Sequence, residues 1–200
     1  MPPGRDRRSE ILDAALACFV ERGIGATTIA DIRERAGATT GSVYHFFASK
    51  DAILGALYVD RLVRYQRDLA LRVKRYRTAR TFIRGIVEHY LEWVDADPPS
   101  ARFLFDARRT EAIAAVEADI VRANSESFAM VRELARGFVA KGELEKLPMD
   151  VFTALIIGPA ASYARQWLEG QSKTEMVRAR VLLADAAWAS VRKRTTEESE

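Results

Sequence analysis

Residues 28–50 of this chain, TIADIRERAGATTGSVYHFFASK, constrain its fold more than any other segment. Thr28 is followed three residues later by Asp31, the spacing at which a hydroxyl and a carboxylate cap the start of a helix reciprocally. Apolar residues then recur at helical spacing until Gly37, which tolerates a positive φ and ends helices. The segment therefore begins with a short helix, predicted over residues 29–36.

A second short helix follows after a tight turn. Thr39 or Thr40 can cap it, and the pattern predicts that it spans about residues 41–47. Val43 and Phe47 are four residues apart and therefore share one side of this helix, which we expect to face inward. Two short helices joined by a tight turn are typical of a helix-turn-helix.

The other side of the second helix carries small and polar residues. Those on it or at its N-terminal end are Thr39, Thr40, Gly41, Ser42, Tyr44 and His45. A helix that enters the DNA major groove needs small side chains that let it approach base edges, and donors that hold phosphates. The N-terminus of a helix also favours anions. The pattern thus predicts a recognition helix, whereas a small helical bundle without a ligand would explain only the apolar positions.

The surrounding sequence resembles the DNA-binding domain of the TetR family of transcriptional regulators. The residues that carry this resemblance are ILDAALACFVERG, then TTIADIRERAG, then ATTGSVYHFFASKDAIL. They cover residues 11–57 almost without gaps and combine glycine turns, an aromatic cluster and a following Ser-Lys pair.

The resemblance implies roles for individual residues. It assigns Thr28, Tyr44 and Lys50 to phosphate contacts. It places on or beside the base-reading surface Thr39, Thr40, Gly41, Ser42 and His45. Phe46 stands where many relatives have a histidine, so we expect it to touch a thymine methyl group or a sugar. No arginine or lysine of this helix can bind guanine bidentately, and we therefore expect readout by small residues, water and DNA shape.

Helical periodicity continues along the whole chain, and no strand pattern is present, so the predicted fold is all-α. We expect a helix over about residues 8–21 to complete a three-helix DNA-binding domain, residues 1–57, after a loose terminus over residues 1–8. A long helix starting at Lys50 leads into a helical domain, residues 58–194, and residues 195–200 form a disordered tail. Within that domain the pattern predicts a helix start at Ser100, a break near Asn124 and a helix start at Asp150.

Composition and charge set further bounds. The 200 residues carry a formal net charge of +3 and one cysteine, which excludes an intrachain disulfide and suits a reducing compartment. No signal peptide or membrane-spanning run is recognisable, and we expect a cytoplasmic protein without a membrane partner. Residues 1–60 are slightly acidic, whereas residues 61–80 are rich in arginine. This stretch either raises the local positive potential or is a solvated helix face.

In the TetR family the C-terminal domain encloses a pocket for a small, often apolar molecule. By this resemblance the candidate ligand contacts are His89, Tyr90, Trp93, Phe103, Phe105, Arg108, Phe128, Met130, Tyr163 and Trp167. Each of them is equally consistent with ordinary packing. The two histidines lack the neighbours needed to complete a metal site, and no cofactor motif is present. Enzymatic signatures are absent as well, so we expect no enzyme.

The last two long helical patterns are apolar on more than one face. The residues that pairing inside one subunit would not cover are Leu155, Ile156, Tyr163, Trp167, Leu182, Ala186 and Trp188. In the family these helices form a dimer interface, so we expect a homodimer on a palindromic DNA operator.

The favoured interpretation is a repressor that a small-molecule effector releases by tilting the helix that starts at Lys50. Two alternatives remain open. The first is a carrier or scaffold for an apolar ligand that does not bind DNA, which the slightly acidic charge of residues 1–60 supports. The second is a small helical enzyme, which would need two converging carboxylates.

Overall fold

The computed structural model describes residues 7–193, except for the side chains of Glu126 and Ser127. The predicted tail over residues 195–200 and most of the predicted loose terminus lie outside the described residues. Arg7, which we expected in that terminus, is instead helical. All long elements of the described chain are α-helices, as predicted, and one isolated β-bridge joins Leu144 to Arg192.

The helices follow in this order: α1 Arg7–Arg22, α2 Ile29–Arg35, α3 Thr40–Phe46, α4 Lys50–Val73, α5 Ala79–Ala96, α6 Pro98–Ala107, α7 Glu111–Ala114, α8 Glu117–Ala140, α9 Met149–Leu168 and α10 Met176–Val191. None of these described helices is both long enough and apolar enough to span a membrane.

The chain divides into two compact units. The first contains the residues up to Arg64 and also Pro99–Ala123. Its core buries the apolar sides of α1 to α4, and Phe103 of α6 stacks on Phe19 of α1 with ring centroids 5.8 Å apart. Large side chains with almost no exposure, such as Ile11 and Ile32, fill this core.

The second unit contains Tyr65–Pro98 and the residues from Asn124 on, and its centre is formed by α5, α9 and α10. The start of α5 is set by a capping box in which Thr78 and Thr81 exchange hydrogen bonds. Phe82 and Ile83 of this helix are fully buried, which accounts for its long apolar stripe. The predicted domain boundary at residues 57 and 58 stays a prediction.

Three predicted helix boundaries were wrong. Helix α6 begins at Pro98, because a proline at the first helical position lacks only an N–H that would have no partner there, and Ser100 is buried inside the helix. Helix α8 is continuous at Asn124, and the interruption lies between α7 and α8. Asp150 lies in the first turn of α9, which starts one residue earlier.

Two helical glycines allow a matched test of packing in the second unit. A Cβ atom on Gly85 would overlap the ring of Tyr76, whereas nothing lies within 4 Å of a Cβ atom on Gly137. We expect Gly137→Ala to raise the free energy of unfolding by about 0.5–1 kcal/mol. Gly85→Ala should lower it by about 1–3 kcal/mol because the added methyl group displaces the ring.

Urea denaturation followed by circular dichroism measures both changes. The loss from Gly85→Ala should shrink in a Tyr76→Ala background, where the ring is absent. Equal stabilisation by the two substitutions would show that Tyr76 does not pack on Gly85.

Candidate nucleic-acid interface and small-molecule site

The capping box predicted at the start of α2 is confirmed. The backbone N–H of Thr28 donates to Asp31 Oδ2 over 2.8 Å, and the N–H of Asp31 donates to Thr28 Oγ1 over 3.2 Å. The hydrogen bond from the Thr28 backbone is the main cause that lowers the pKa of Asp31, and the nearby Arg22 lowers it further. Asp31 therefore stays ionised at neutral pH and keeps the start of α2 in place.

A short turn leads from α2 into α3. Gly37 has a φ of +56°, which glycine adopts without strain, and its carbonyl accepts a hydrogen bond of 2.6 Å from Arg7 Nη2. Thr39 is the N-cap of α3, because its hydroxyl oxygen accepts from the N–H of Ser42 over 3.1 Å. Of the two predicted caps, Thr39 and Thr40, the structure therefore selects the first.

Helix α3 buries one side and exposes the other. Val43 is fully buried and Phe47, directly after the helix, is 4% exposed, as their spacing predicted. On the outer side Tyr44 and Phe46 are 53% and 36% exposed, although both are large aromatic residues. His45 is also exposed, and its ring meets Phe46 edge-on at 4.9 Å.

The remaining predicted contacts with bases surround the N-terminal end of α3. Thr39, Thr40 and Gly41 are exposed and Ser42 is half-buried. Arg33 of α2 also lies at this end, with Nη1 3.5 Å from the hydroxyl oxygen of Thr40. Its Nε is buried without a hydrogen-bond partner in the described part of the chain. The sequence reasoning missed Arg33, because the turn that brings α2 beside α3 is a tertiary feature.

Lys50 has a role that its sequence position did not predict. Its ammonium group donates to the carbonyl of Ile24 over 3.0 Å and to that of Gly25 over 3.3 Å. These bonds attach the first residue of α4 to the connection between α1 and α2. Ser49 caps the same helix by accepting from the N–H of Ala52 over 3.1 Å, as expected. An ammonium group has three N–H donors, so Lys50 retains one for a further acceptor.

The candidate ligand contacts are not all in one unit. Phe103, Phe105 and Arg108 belong to the first unit, where Phe103 is used in the core and Arg108 forms an ion pair of 3.0 Å with Glu117. The hydrogen bond that Arg108 donates to Glu117 is the main cause that raises the pKa of Arg108. The other candidates belong to the second unit.

In the second unit, His89 lies in an aromatic cluster. Its ring stacks on that of Tyr65 at 5.3 Å, and Tyr65 also contacts Tyr90 at 6.1 Å and Trp93 at 5.0 Å. His89 is 4% exposed, and neither ring nitrogen has a well-formed hydrogen bond in the described part of the chain. Sequence reasoning missed Tyr65, although it lies on the apolar stripe of α4 between Leu62 and Leu69.

Burial determines the charge state of this cluster. It is the main cause that lowers the pKa of His89, and the positive charge of Arg72 acts in the same direction. Burial likewise raises the pKa of Tyr65 and of Tyr90. The imidazole is therefore neutral at pH 7 and offers one donor and one acceptor among aromatic rings.

The last four candidates, Phe128, Met130, Tyr163 and Trp167, are all half-buried in the second unit. The hydroxyl of Tyr163 donates to the carbonyl of Thr174 over 2.7 Å and so holds the connection before α10. Within residues 7–193, no cluster of three or more histidine, cysteine or acidic residues could hold a metal ion.

The N-terminal segment matches a known family. Residues 11–57 fit the family model described as bacterial regulatory proteins, tetR family. Over 66 residues the chain is 46% identical to the HTH-type transcriptional repressor KstR2 of Mycobacterium tuberculosis, a stretch of 32% of this chain and 33% of that protein. The sequence match therefore spans about a third of this curated relative.

The fold is shared over almost the whole chain. A TetR family transcription regulator from Marinobacter aquaeolei VT8 has a TM-score of 0.80 at 16% identity, covering 94% of this chain and 96% of that one. SmeT, the repressor of the Stenotrophomonas maltophilia multidrug efflux pump SmeDEF, has a TM-score of 0.68 at 25% identity, covering 93% and 90%. Residues 11–57 therefore match the TetR family of bacterial regulatory proteins, and the fold of almost the whole chain is shared with solved structures of TetR family regulators.

Proposed function

We propose that this protein is a homodimeric transcriptional repressor that binds a palindromic DNA operator and leaves it when a small molecule binds. The observation that carries the proposal is the outer side of α3, where exposed aromatic and small polar residues stand on a helix whose inner side is buried. The match of residues 11–57 to the TetR family supports the same function. A regulator of this kind acts on DNA, which agrees with the predicted cytoplasmic location.

The proposed DNA contacts follow from the geometry of α2 to α4. Exposed Thr39, Thr40 and Gly41 let the N-terminal end of α3 approach base edges, with Ser42, His45 and Phe46 beside them. The Tyr44 hydroxyl and the third donor of Lys50 are proposed to hold phosphates. Thr28, exposed at the start of α2, is the remaining proposed phosphate contact.

The proposed phosphate contacts of Lys50 and Tyr44 predict how operator binding depends on salt concentration. Log affinity falls as log salt concentration rises, and Lys50→Gln should make this fall less steep by about 1.8 for a dimer, because each subunit loses one phosphate contact. Tyr44→Phe should weaken binding by about 5- to 150-fold without changing the slope, because each of the two subunits loses one uncharged donor. Fluorescence anisotropy at several salt concentrations, with an operator selected from random DNA by the wild-type protein, measures both.

Lys173→Gln is the matched control, since Lys173 is an exposed lysine between α9 and α10. If Lys50→Gln weakens binding with an unchanged slope, the lysine acts only by holding the carbonyls of Ile24 and Gly25. Failure to select any DNA from the random pool would contradict the proposed function itself.

Dimerisation is proposed to use the outward sides of α9 and α10. Val177, Val181 and Leu182 of α10 are 61%, 49% and 57% exposed, and Val151 of α9 is 41% exposed. Apolar side chains exposed together in this way are typical of an interface. Ile156, which we predicted on this surface, is instead buried within the unit at 3% exposure, because it faces the inner side of α9.

The proposed interface predicts how substitutions at its surface change the oligomeric state. Leu182→Glu should convert the dimer to a monomer, because a carboxylate at the centre of the interface would lose its water. Leu71→Glu is the control, since Leu71 of α4 is equally exposed at 55% and lies outside the proposed interface. Sedimentation equilibrium measures both variants, and a Leu182→Glu protein that remains dimeric would exclude this surface.

The small-molecule effector is proposed to bind at the aromatic cluster of His89, Tyr65, Tyr90 and Trp93. Buried polar atoms without partners reduce stability, and a ligand that supplies the missing hydrogen bond is one reason for a protein to keep them. The neutral imidazole fits a carbonyl or hydroxyl group on an apolar effector. Binding is proposed to shift α4, which supplies Tyr65 to this cluster and Lys50 to the DNA-binding helices.

A substitution of His89 separates effector binding from packing. His89→Phe keeps the stacked ring and removes both unpartnered nitrogens, so thermal stability should stay equal or rise. Any compound that releases the operator from the wild-type protein should need an at least tenfold higher concentration with the variant. Anisotropy of the operator complex measures release; a large loss of stability, or unchanged release, would exclude His89 as an effector contact.

A further inference from the structure

The second unit also contains a groove that shares no residue with the aromatic cluster of His89. It has a volume of about 470 Å³ and lies between the C-terminal part of α8, the following connection and the start of α9. Three basic side chains line it, Arg132, Arg136 and Lys146, against one acidic side chain, Glu145. The groove therefore has an excess of positive charge.

Two of these cations have no ion-pair partner among the described residues. Arg132 forms no ion pair within residues 7–193, and its Nε is buried there without a hydrogen-bond partner. Lys146 is exposed and likewise makes no ion pair with any described residue. Arg136 reaches only Glu133, over a long and exposed contact of 3.9 Å. Because Arg132 has no ion-pair partner among the described residues, its half-buried guanidinium can bind an acceptor supplied by a ligand.

The groove is also lined by apolar side chains. Leu147, Met149 and Phe152 are among them, and Phe152 is 4% exposed, so its ring is firmly held. Apolar walls with a few convergent polar groups are typical of small-molecule sites. The combination of these side chains with cations that have no ion-pair partner among the described residues suits a molecule that has both an anionic group and an apolar body.

The connection that carries Lys146 is held in place by the end of α10. The N–H of Glu145 donates to the carbonyl of Val191 over 2.9 Å, and the N–H of Lys193 donates to that of Glu143 over 3.1 Å. Leu144, between these bonds, is 2% exposed. These bonds hold the backbone of the connection on both sides of Leu144, so this part of the groove is formed before any ligand binds.

We propose that this groove binds a small amphipathic anion, with a carboxylate, sulfonate or phosphate group on an apolar body. The planar guanidinium of Arg132 donates to the anionic group, and Lys146 adds a second charge. The apolar body lies against Leu147, Met149 and Phe152. This site is separate from the proposed effector site at His89 and does not depend on it.

Two fluorescent probes that differ by one anionic group test the proposal. They are 8-anilinonaphthalene-1-sulfonate and its uncharged analogue N-phenyl-1-naphthylamine, each titrated into the full-length protein. The sulfonate should bind at least about tenfold more tightly than the neutral probe, and Arg132→Gln should remove most of that difference, as expected when a charge-assisted hydrogen bond is lost. Lys146→Gln, which removes the charge of an exposed side chain, should also lower the affinity for the sulfonate.

Arg122→Gln is the matched control, since Arg122 lies on the same helix but pairs with Asp119 over 3.1 Å. Neither this variant nor His89→Phe should change sulfonate binding. Equal affinity for the two probes, or sulfonate binding that His89→Phe weakens and Arg132→Gln leaves unchanged, would overturn the proposal. Melting temperatures of all variants identify any loss of affinity that comes from unfolding.

Discussion

Burial of Val43 and Phe47 is the interaction on which the proposed DNA-reading surface depends. Helix α3 has only 7 residues, and a helix of that length is not stable alone in water. Burying each of these side chains contributes about 1.5–3 kcal/mol relative to leaving it exposed. Because these two residues anchor the inner side of the helix, Tyr44 and Phe46 on the outer side are not needed for its packing.

Helix α4 is attached to the first unit at two places along its length. Lys50 bonds to the carbonyls between α1 and α2, and Arg61, whose side chain is 9% exposed, forms an ion pair with Asp13 of α1. The Asp13 side chain is 48% exposed, so water screens this pair and it contributes less to stability than a fully buried pair would. The same helix continues into the second unit, where Gln66 bonds to Asn124 over 2.6 Å and Tyr65 stacks on His89. It is therefore the element through which the proposed effector site can influence the proposed DNA contacts.

Local signals in the sequence predicted the first unit well. The capping box at Thr28, the glycine turn at Gly37 and the four-residue spacing of Val43 and Phe47 depend on neighbours in the chain, and all three are confirmed. Prediction was poorer where distant residues decide the outcome. Ile156 was expected at the surface but is buried, because sequence spacing does not reveal which side of an all-round apolar helix meets the core.

The sequence by itself determined the all-α fold and the helix-turn-helix, because helix periodicity, caps and turn glycines act over a few residues. Only the tertiary structure decided that Lys50 bonds to Ile24 and Gly25, that Tyr65 joins His89, and that Arg132 meets Lys146 across a groove. Each of these sites combines residues far apart in the chain or on different elements. Their proximity depends on how the helices pack, and packing is set by the summed burial of many side chains rather than by any local motif.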